Sequence, residues 1–130
     1  MSTNANPAKY IGKNRFVIAG SFLPAGVGAP TGVIGAGFTV ARTGVGQYTV
    51  TLAEKWLRLL SANATLQLAA LTASGIQLGA TDVSGAKTVV LNVWGPSGAG
   101  ATGAVALEVA ADPNNRVHFK FVMSQDTVQT

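Results

Sequence analysis

The sequence predicts an all-β domain in which two antiparallel sheets of about eight strands in total pack face to face. Apolar and polar residues alternate with a period of two along almost the whole chain, as they do in half-buried strands. Short runs rich in glycine, asparagine and proline separate the alternating stretches. The 130 residues, without a cysteine, are enough for one domain with its own core. We therefore expect a single domain over 1–130, with an extended N-terminal arm over 1–10 and a C-terminal tail over 124–130.

Each predicted strand has one apolar face. In chain order these faces are Phe16/Ile18/Phe22, Phe38/Val40, Tyr48/Val50/Leu52, Leu66/Leu68, Ile76/Leu78, Val89/Leu91/Val93, Val105/Leu107/Val109 and Val117/Phe119/Phe121. One apolar face per strand is the pattern expected when two antiparallel sheets bury their inner faces against each other.

The connections between these strands have recognisable turn chemistry. Residues 43–46 predict a tight hairpin because glycine supplies the positive φ that such turns need. Turns are also expected at 73–75, 83–85 and 112–115, and longer loops at 24–37 and 95–103. The segment 53–60 has two interpretations: a single helical turn, or a loop anchored by Trp56.

Composition limits the classes of partner. Charged residues make up only 11% of the chain, roughly half of the usual fraction, and the net charge is +4. The nine basic residues are dispersed, and only 9–15 is locally basic. Nucleic-acid binders cluster their positive charge, so we expect a weak attraction to an acidic protein surface and no nucleic-acid partner. No apolar run is long enough to span a membrane and no signal peptide is recognisable, so we expect no membrane association.

The chain offers few groups for catalysis. His118 is the sole histidine and the five acidic residues are dispersed, so neither a metal site nor a catalytic triad is predicted. Residues 98–103 match the literal dinucleotide fingerprint, but the βαβ context that this motif requires is missing. We therefore predict a protein that is not an enzyme and has no cofactor.

Seven residues are candidates for contact with a partner. Arg116, His118 and Lys120 alternate along the last strand and are expected to form a row of positive charge with a spacing of about 7 Å. This row either docks on an acidic neighbour or protects the strand from aggregation. Trp94 falls opposite Val93, so it is either an exposed interface anchor or turned inward by a bulge. The others are the basic and aromatic residues of the N-terminal region, namely Lys9, Tyr10 and Lys13.

Two stretches resemble a known family. The runs GFTVARTGVGQYTV at 37–50 and NNRVHF at 114–119 resemble those of the head decoration (cement) proteins of tailed phages, with a likeness over about 15–123. The resemblance favours a jelly-roll-like sandwich over an immunoglobulin-like one. It implies a structural protein of the virion, made in the host cytoplasm, that binds the outer capsid surface as a dimer or trimer. Its partner is then a major capsid protein of the HK97-like fold.

No family site residue can be carried over, because contacts vary within this family. The arm 1–10 and the loop 24–37 are therefore the first candidates for capsid contact.

Three alternatives share the predicted fold. A receptor- or glycan-binding module of a phage fibre predicts aromatic and acidic residues clustered at one end. Trp56 and Trp94 supply aromatics, but no acidic cluster is present. A minor tail or capsid subunit would assemble with itself without a shell. A cupin-type enzyme needs several metal-binding histidines.

Overall fold

The computed structural model describes residues 9–12, 15–70, 73–96 and 104–124, and within them it contains ten strands and no helix. The strands are β1 (Lys9–Gly12), β2 (Arg15–Ala25), β3 (Gly28–Gly35), β4 (Phe38–Gly44), β5 (Gln47–Leu52), β6 (Arg58–Gln67), β7 (Gly75–Asp82), β8 (Thr88–Pro96), β9 (Ala104–Ala106) and β10 (Arg116–Ser124). The eight predicted strands correspond to β2 and β4 to β10, and β1 and β3 are additional.

The strands form two antiparallel five-stranded sheets. Sheet A has the order β1-β2-β10-β6, and β3 also pairs with β2. Sheet B has the order β4-β5-β8-β7, and β9 pairs with the end of β8. The chain passes between the sheets after β3, β5, β6 and β9. The predicted two-sheet sandwich is confirmed, and its first and last long strands, β2 and β10, lie side by side, which is compatible with a jelly-roll-like fold.

The core lies between the inner faces of the two sheets. Val117 and Phe121 of β10 are fully buried, as are Tyr48 of β5 and Leu91 of β8. Aromatic rings meet across this layer, with centroids 5.0 Å apart for Phe22 and Tyr48. Each large apolar side chain buried in this way stabilises the fold by about 1.5–3 kcal/mol relative to exposure. Along β5, and along β10 as far as Met123, fully buried residues alternate with half-buried or exposed ones, and this alternation defines the interior.

Phe38 spans the core from sheet B to sheet A at a point where sheet A has no side chain. A Cβ added to Gly20 would lie 2.3 Å from Phe38 Cζ, and one added to Gly35 would lie 2.8 Å from Phe38 Cε1. The ring also contacts Phe119 edge-on, with centroids 4.9 Å apart. Gly20 therefore interrupts the apolar face of β2 in order to admit the Phe38 ring.

Trp56 closes one end of the sandwich. Its side chain is 3% exposed, and its ring centroid is 5.1 Å from that of Phe16. The helical interpretation of 53–60 is wrong; the loop interpretation holds for 53–57, while 58–60 are the first residues of β6. Backbone N–H groups there bond to other segments: Ala53 donates to the carbonyl of Gly37 and Trp56 to that of Val83. These donors are therefore not available for a helical turn.

The sequence predicted a long loop at 24–37, and this prediction is wrong. The segment contains β3, which pairs antiparallel with β2 as a hairpin. Nearly every residue of β3 is exposed, and the strand pairs only with β2 at the edge of sheet A. A strand with solvent on both faces has no alternating pattern, and this explains why the pattern did not predict it.

Two predicted core residues are exposed. Leu78 of β7 is 40% exposed beside a register shift between Leu78 and Thr81, and Val105 of β9 is 48% exposed. β9 pairs only with the last three residues of β8, so Val105 lies at the margin of the sandwich. Val109, from the same predicted run, is buried as expected.

The turns predicted at 83–85 and 112–115 are confirmed, whereas at 73–75 the chain bends at Ala73 and β7 already begins at Gly75. The Asp82 carboxylate accepts hydrogen bonds from the N–H groups of Gly85 and Ala86, each at 3.0 Å. The Asp112 carboxylate accepts one from Asn114 N–H at 2.8 Å. Outside the described residues lie 1–8 of the predicted arm, 125–130 of the tail and 97–103 of the 95–103 loop. Ser124, predicted as the start of the tail, is the last residue of β10.

The β4–β5 hairpin depends on Gly46, which has a φ of 62°. A Cβ there would lie 2.5 Å from the Leu107 carbonyl oxygen and 2.7 Å from that of Val93. We expect Gly46→Ala to lower the free energy of unfolding by about 2–4 kcal/mol, measured by urea denaturation. Gly44→Ala is the matched control, because its Cβ would meet only the flexible Gln47 side chain, at 3.2 Å. Equal losses in the two variants would contradict this account of the turn.

The two tryptophans differ in burial, so their replacement is expected to affect stability differently. Because Trp56 is 3% exposed and Trp94 is 37% exposed, we expect Trp56→Ala to cost about 3–5 kcal/mol of unfolding free energy. Trp94→Ala is expected to cost less than about 1 kcal/mol. Thermal and urea unfolding of both variants measure the difference. A loss for Trp94→Ala as large as that for Trp56→Ala would show that Trp94 belongs to the core.

Candidate binding surfaces

A row of basic side chains runs along β10 on the outer face of sheet A. Along this strand Val117 and Phe119 point into the core, so Arg116, His118 and Lys120 point outward. We call these three residues the basic strip. His118 and Lys120 are exposed and Arg116 is half-buried. The predicted orientation of the row is confirmed, while its role in binding stays a prediction.

The first residue of the basic strip also holds the sheet together. Arg116 donates hydrogen bonds to Ser21 Oγ at 2.7 Å and to the Gly32 carbonyl oxygen at 3.0 Å. It thereby ties β10 across β2 to β3. His118 Nε2 is 2.9 Å from Gln67 Oε1 on β6. These bonds fix two of the three side chains against the sheet.

Sheet A as a whole carries charge of one sign. Its five strands contain Lys9, Arg15, Arg58, Arg116 and Lys120 and no aspartate or glutamate. The cross-strand neighbours of His118 and Lys120 are uncharged residues: Ala19, Ser21, Asn63 and Thr65. The strands of this sheet therefore contribute charge of one sign only, which is positive.

The N-terminal candidates lie at the edge of the same sheet. Lys9 is in register with Val17 of β2, and Tyr10 is in register with Phe16. The structure therefore brings Lys9 and Tyr10 to the sheet that carries the basic strip. Lys13 lies outside the described residues.

Trp94 lies on the opposite side of the molecule, on the outer face of sheet B. The register with β7 runs without a shift through Trp94 and its neighbour Val93, which is 1% exposed. Trp94 is 37% exposed, so the surface interpretation is confirmed and the inward bulge is wrong. A groove of about 490 Å³ opens beside it, which we call the Trp94 groove; it is lined by Gln77, Asn92, Val93, Trp94, Val105 and Ala106.

An ion pair joins the segment after β9 to sheet B. The Arg42 guanidinium donates to both carboxylate oxygens of Glu108, with Nε 3.1 Å from each, and their side chains are 20% and 23% exposed. The hydrogen bond from Arg42 holds the pKa of Glu108 below its usual value. Burial raises the pKa of the neighbouring Tyr48 to about 12, so its phenol stays protonated. The ion pair thus ties the segment after β9 to β4.

The described part of the chain contains no group of three or more His, Asp or Glu residues placed to hold a metal ion. No helix of suitable length and apolarity for crossing a membrane occurs there either.

Sequence reasoning missed two features of these surfaces. Arg116 and Ser21 are 95 positions apart, and Arg42 and Glu108 are 66 apart, so no local pattern signals either contact. The strand order that brings β2 next to β10 was the missing information.

Comparison with known proteins gives no relative: no family model, no curated protein and no solved structure matches this chain.

The Arg42–Glu108 pair predicts a specific acid sensitivity. Because the folded-state pKa of Glu108 is depressed, its contribution to stability is present above the unfolded-state pKa. This contribution is lost as the pH falls through the lower, folded-state pKa. We expect Glu108→Gln to be less stable than the parent at neutral pH, with a difference that shrinks in this acidic range. Urea denaturation at a series of pH values measures it, and a difference that grows on acidification would contradict the assignment.

Proposed function

We propose that this chain is a non-enzymatic structural protein of a phage virion, which binds the outer capsid surface and stabilises contacts between major capsid subunits. The observation that carries this proposal is the one-signed charge of sheet A, with five Lys and Arg residues and no acid in its strands. The likeness of 37–50 and 114–119 to head decoration proteins supports a capsid as the acidic partner.

The basic strip is suited to docking on an acidic surface. Complementary charge steers association and fixes the orientation of two proteins. Arg116 is already held by Ser21 and Gly32, so less side-chain entropy is lost when it meets a partner. His118 is likewise placed beside Gln67. Lys120 is the exposed member that remains available for a carboxylate of the shell.

An apolar edge adjoins the basic strip. Val33 and Ile34 of β3 are 44% and 61% exposed. Ile34 lies directly opposite Ser21, the residue that Arg116 contacts, so Ile34 adjoins the basic strip, whereas Val33 points to the other face of β3. Protein interfaces typically combine an apolar centre with a polar or charged rim. β3 therefore supplies the apolar part of the proposed capsid contact.

Repetition on the shell strengthens a modest contact. A dimer or trimer bound to two or three equivalent capsid positions gains avidity because the second contact is intramolecular. Many such clamps on a symmetric shell would resist the pressure of packed DNA.

Co-sedimentation with phage heads tests the proposal. We expect saturable binding to expanded, undecorated heads of the source phage, with no binding to unexpanded heads or to bare DNA. The plateau gives the number of copies per shell. Absence of binding to both head forms would overturn the proposed function, as would equal binding to DNA.

Charge-removal variants test the surface. We expect Lys120→Gln to weaken head binding about three- to tenfold and to reduce its dependence on salt, because an electrostatic contact is lost. Lys87→Gln is the matched control, since it removes the same charge from the turn between β7 and β8. Similar losses in both variants would mean that net charge matters and the basic strip does not.

A further inference from the structure

We propose that the outer face of sheet B carries a separate saccharide site. In it the indole of Trp94 stacks on the apolar face of a neutral sugar ring, and the amides of Asn92 and Gln77 bond the sugar's hydroxyl groups. This site lies on the opposite face from the basic strip, and it does not depend on capsid binding.

The indole of Trp94 is a supported platform. In the sheet, Trp94 is directly opposite Gly75 on β7 and Ala106 on β9, which leaves room for a large ring. A Cβ added to Gly75 would lie 2.5 Å from Trp94 Cζ2 and 3.0 Å from Trp94 Nε1. The ring therefore rests on the backbone of Gly75, while 37% of the side chain stays exposed. An aromatic ring supported on one side is preorganised for stacking on the other.

A row of amides lies beside the platform. Gln47 of β5 and Gln77 of β7 are each directly opposite Asn92 of β8, so all three face outward side by side. Each amide offers two donors and one acceptor, which suits the mixed donor and acceptor character of a hydroxyl group. Among the described residues, no hydrogen bond involves the side-chain amide of Asn92 or of Gln77.

The Trp94 groove has the dimensions of a ligand site. Its volume of about 490 Å³ lies within the range of roughly 300–1,000 Å³ found for small-molecule sites. Val105, 48% exposed, and Ala106 contribute apolar surface to the groove. Apolar walls with a few fixed polar groups are typical of sites that bind uncharged ligands.

The outer face of sheet B around Trp94 lacks charged side chains, and this indicates which class of ligand fits it. On β4, β5, β7 and β8, the side chains that share the outer face of sheet B with Trp94 are uncharged apart from Asp82. They include Thr39, Ala41, Thr43, Gln47, Thr49, Thr51, Gln77, Val90 and Asn92. The connection 97–103 contains no ionisable residue in its sequence. Asp82 lies opposite Thr88, six positions along β8 from Trp94, and its carboxylate bonds to N–H groups of its own turn.

A nucleic acid whose bases stack on a tryptophan also needs basic side chains nearby to contact its phosphates, and an acidic sugar needs them to contact its carboxylate. A neutral saccharide needs neither, so it is the ligand class that this face fits.

Tryptophan emission provides the test, because Trp56 is 3% exposed and solvent quenching by acrylamide therefore reports mainly on Trp94. The probes are neutral oligosaccharides of glucose, galactose, mannose and N-acetylglucosamine at millimolar concentration. A sialylated oligosaccharide and single-stranded DNA are the charged controls. We expect a saturable change of emission and shielding of Trp94 with at least one neutral probe and with neither control.

Variants assign the binding to this face. We expect Trp94→Ala and Asn92→Ala to weaken saccharide binding about tenfold or more, followed by calorimetry because the first variant removes the reporter. Thr39→Ala, at the far edge of the same face, is the matched control and should bind normally. Unfolding curves show that each variant remains folded, and head binding of all three should be unchanged.

Three binding results would overturn the saccharide site. They are the absence of a saturable signal with every neutral probe, undiminished saccharide binding by Trp94→Ala, and preference for either charged control. Shielding of Trp94 that increases with protein concentration in the absence of sugar would assign the face to a second copy of the chain, and would also overturn it. None of these results bears on binding to phage heads, so the two proposals fail independently.

Discussion

The pairing of β2 with β10 fixes both the core and the outer face of sheet A. Eight residue pairs join these two strands in unbroken register, from Arg15↔Ser124 to Phe22↔Val117. This register directs Phe119 and Phe121 into the core and, by the same alternation, places Lys120 on the surface. A slip of one residue would exchange the two faces of β10. The register that buries the aromatic core therefore also creates the positive surface.

Alternation explains why much of the fold could be predicted from the sequence. The period-two runs located all eight predicted strands, and glycine placed the β4–β5 turn, where Gly46 has a positive φ. The prediction failed where burial imposes no pattern. β3 is exposed on both faces, and Val105 pairs beyond the margin of the core. At 53–60 helix-forming residues were overridden by backbone bonds to other segments, such as that from Trp56 to Val83.

The candidate surfaces, like the fold, could be predicted only in part from the sequence. The basic strip was predictable because its residues alternate within one strand, whereas the anchoring of Arg116 by Ser21 depends on which strand lies beside β10. Similarly, Gln47, Asn92 and Gln77 form a row only because β5, β8 and β7 are neighbours in sheet B. The sandwich thus gives one small domain two outer faces of different chemistry, one positive and one uncharged.

Lysine footprinting on saturated, expanded phage heads tests the central claim most directly, namely that sheet A is the face that meets the capsid. Acetylation followed by mass spectrometry compares the reactivity of each lysine in the free and bound protein. We expect Lys120 of sheet A to lose reactivity on the head, while Lys87, in the turn after β7 of sheet B, retains it. Protection of Lys87 with unchanged Lys120 would contradict the account, because it would place the capsid contact away from sheet A.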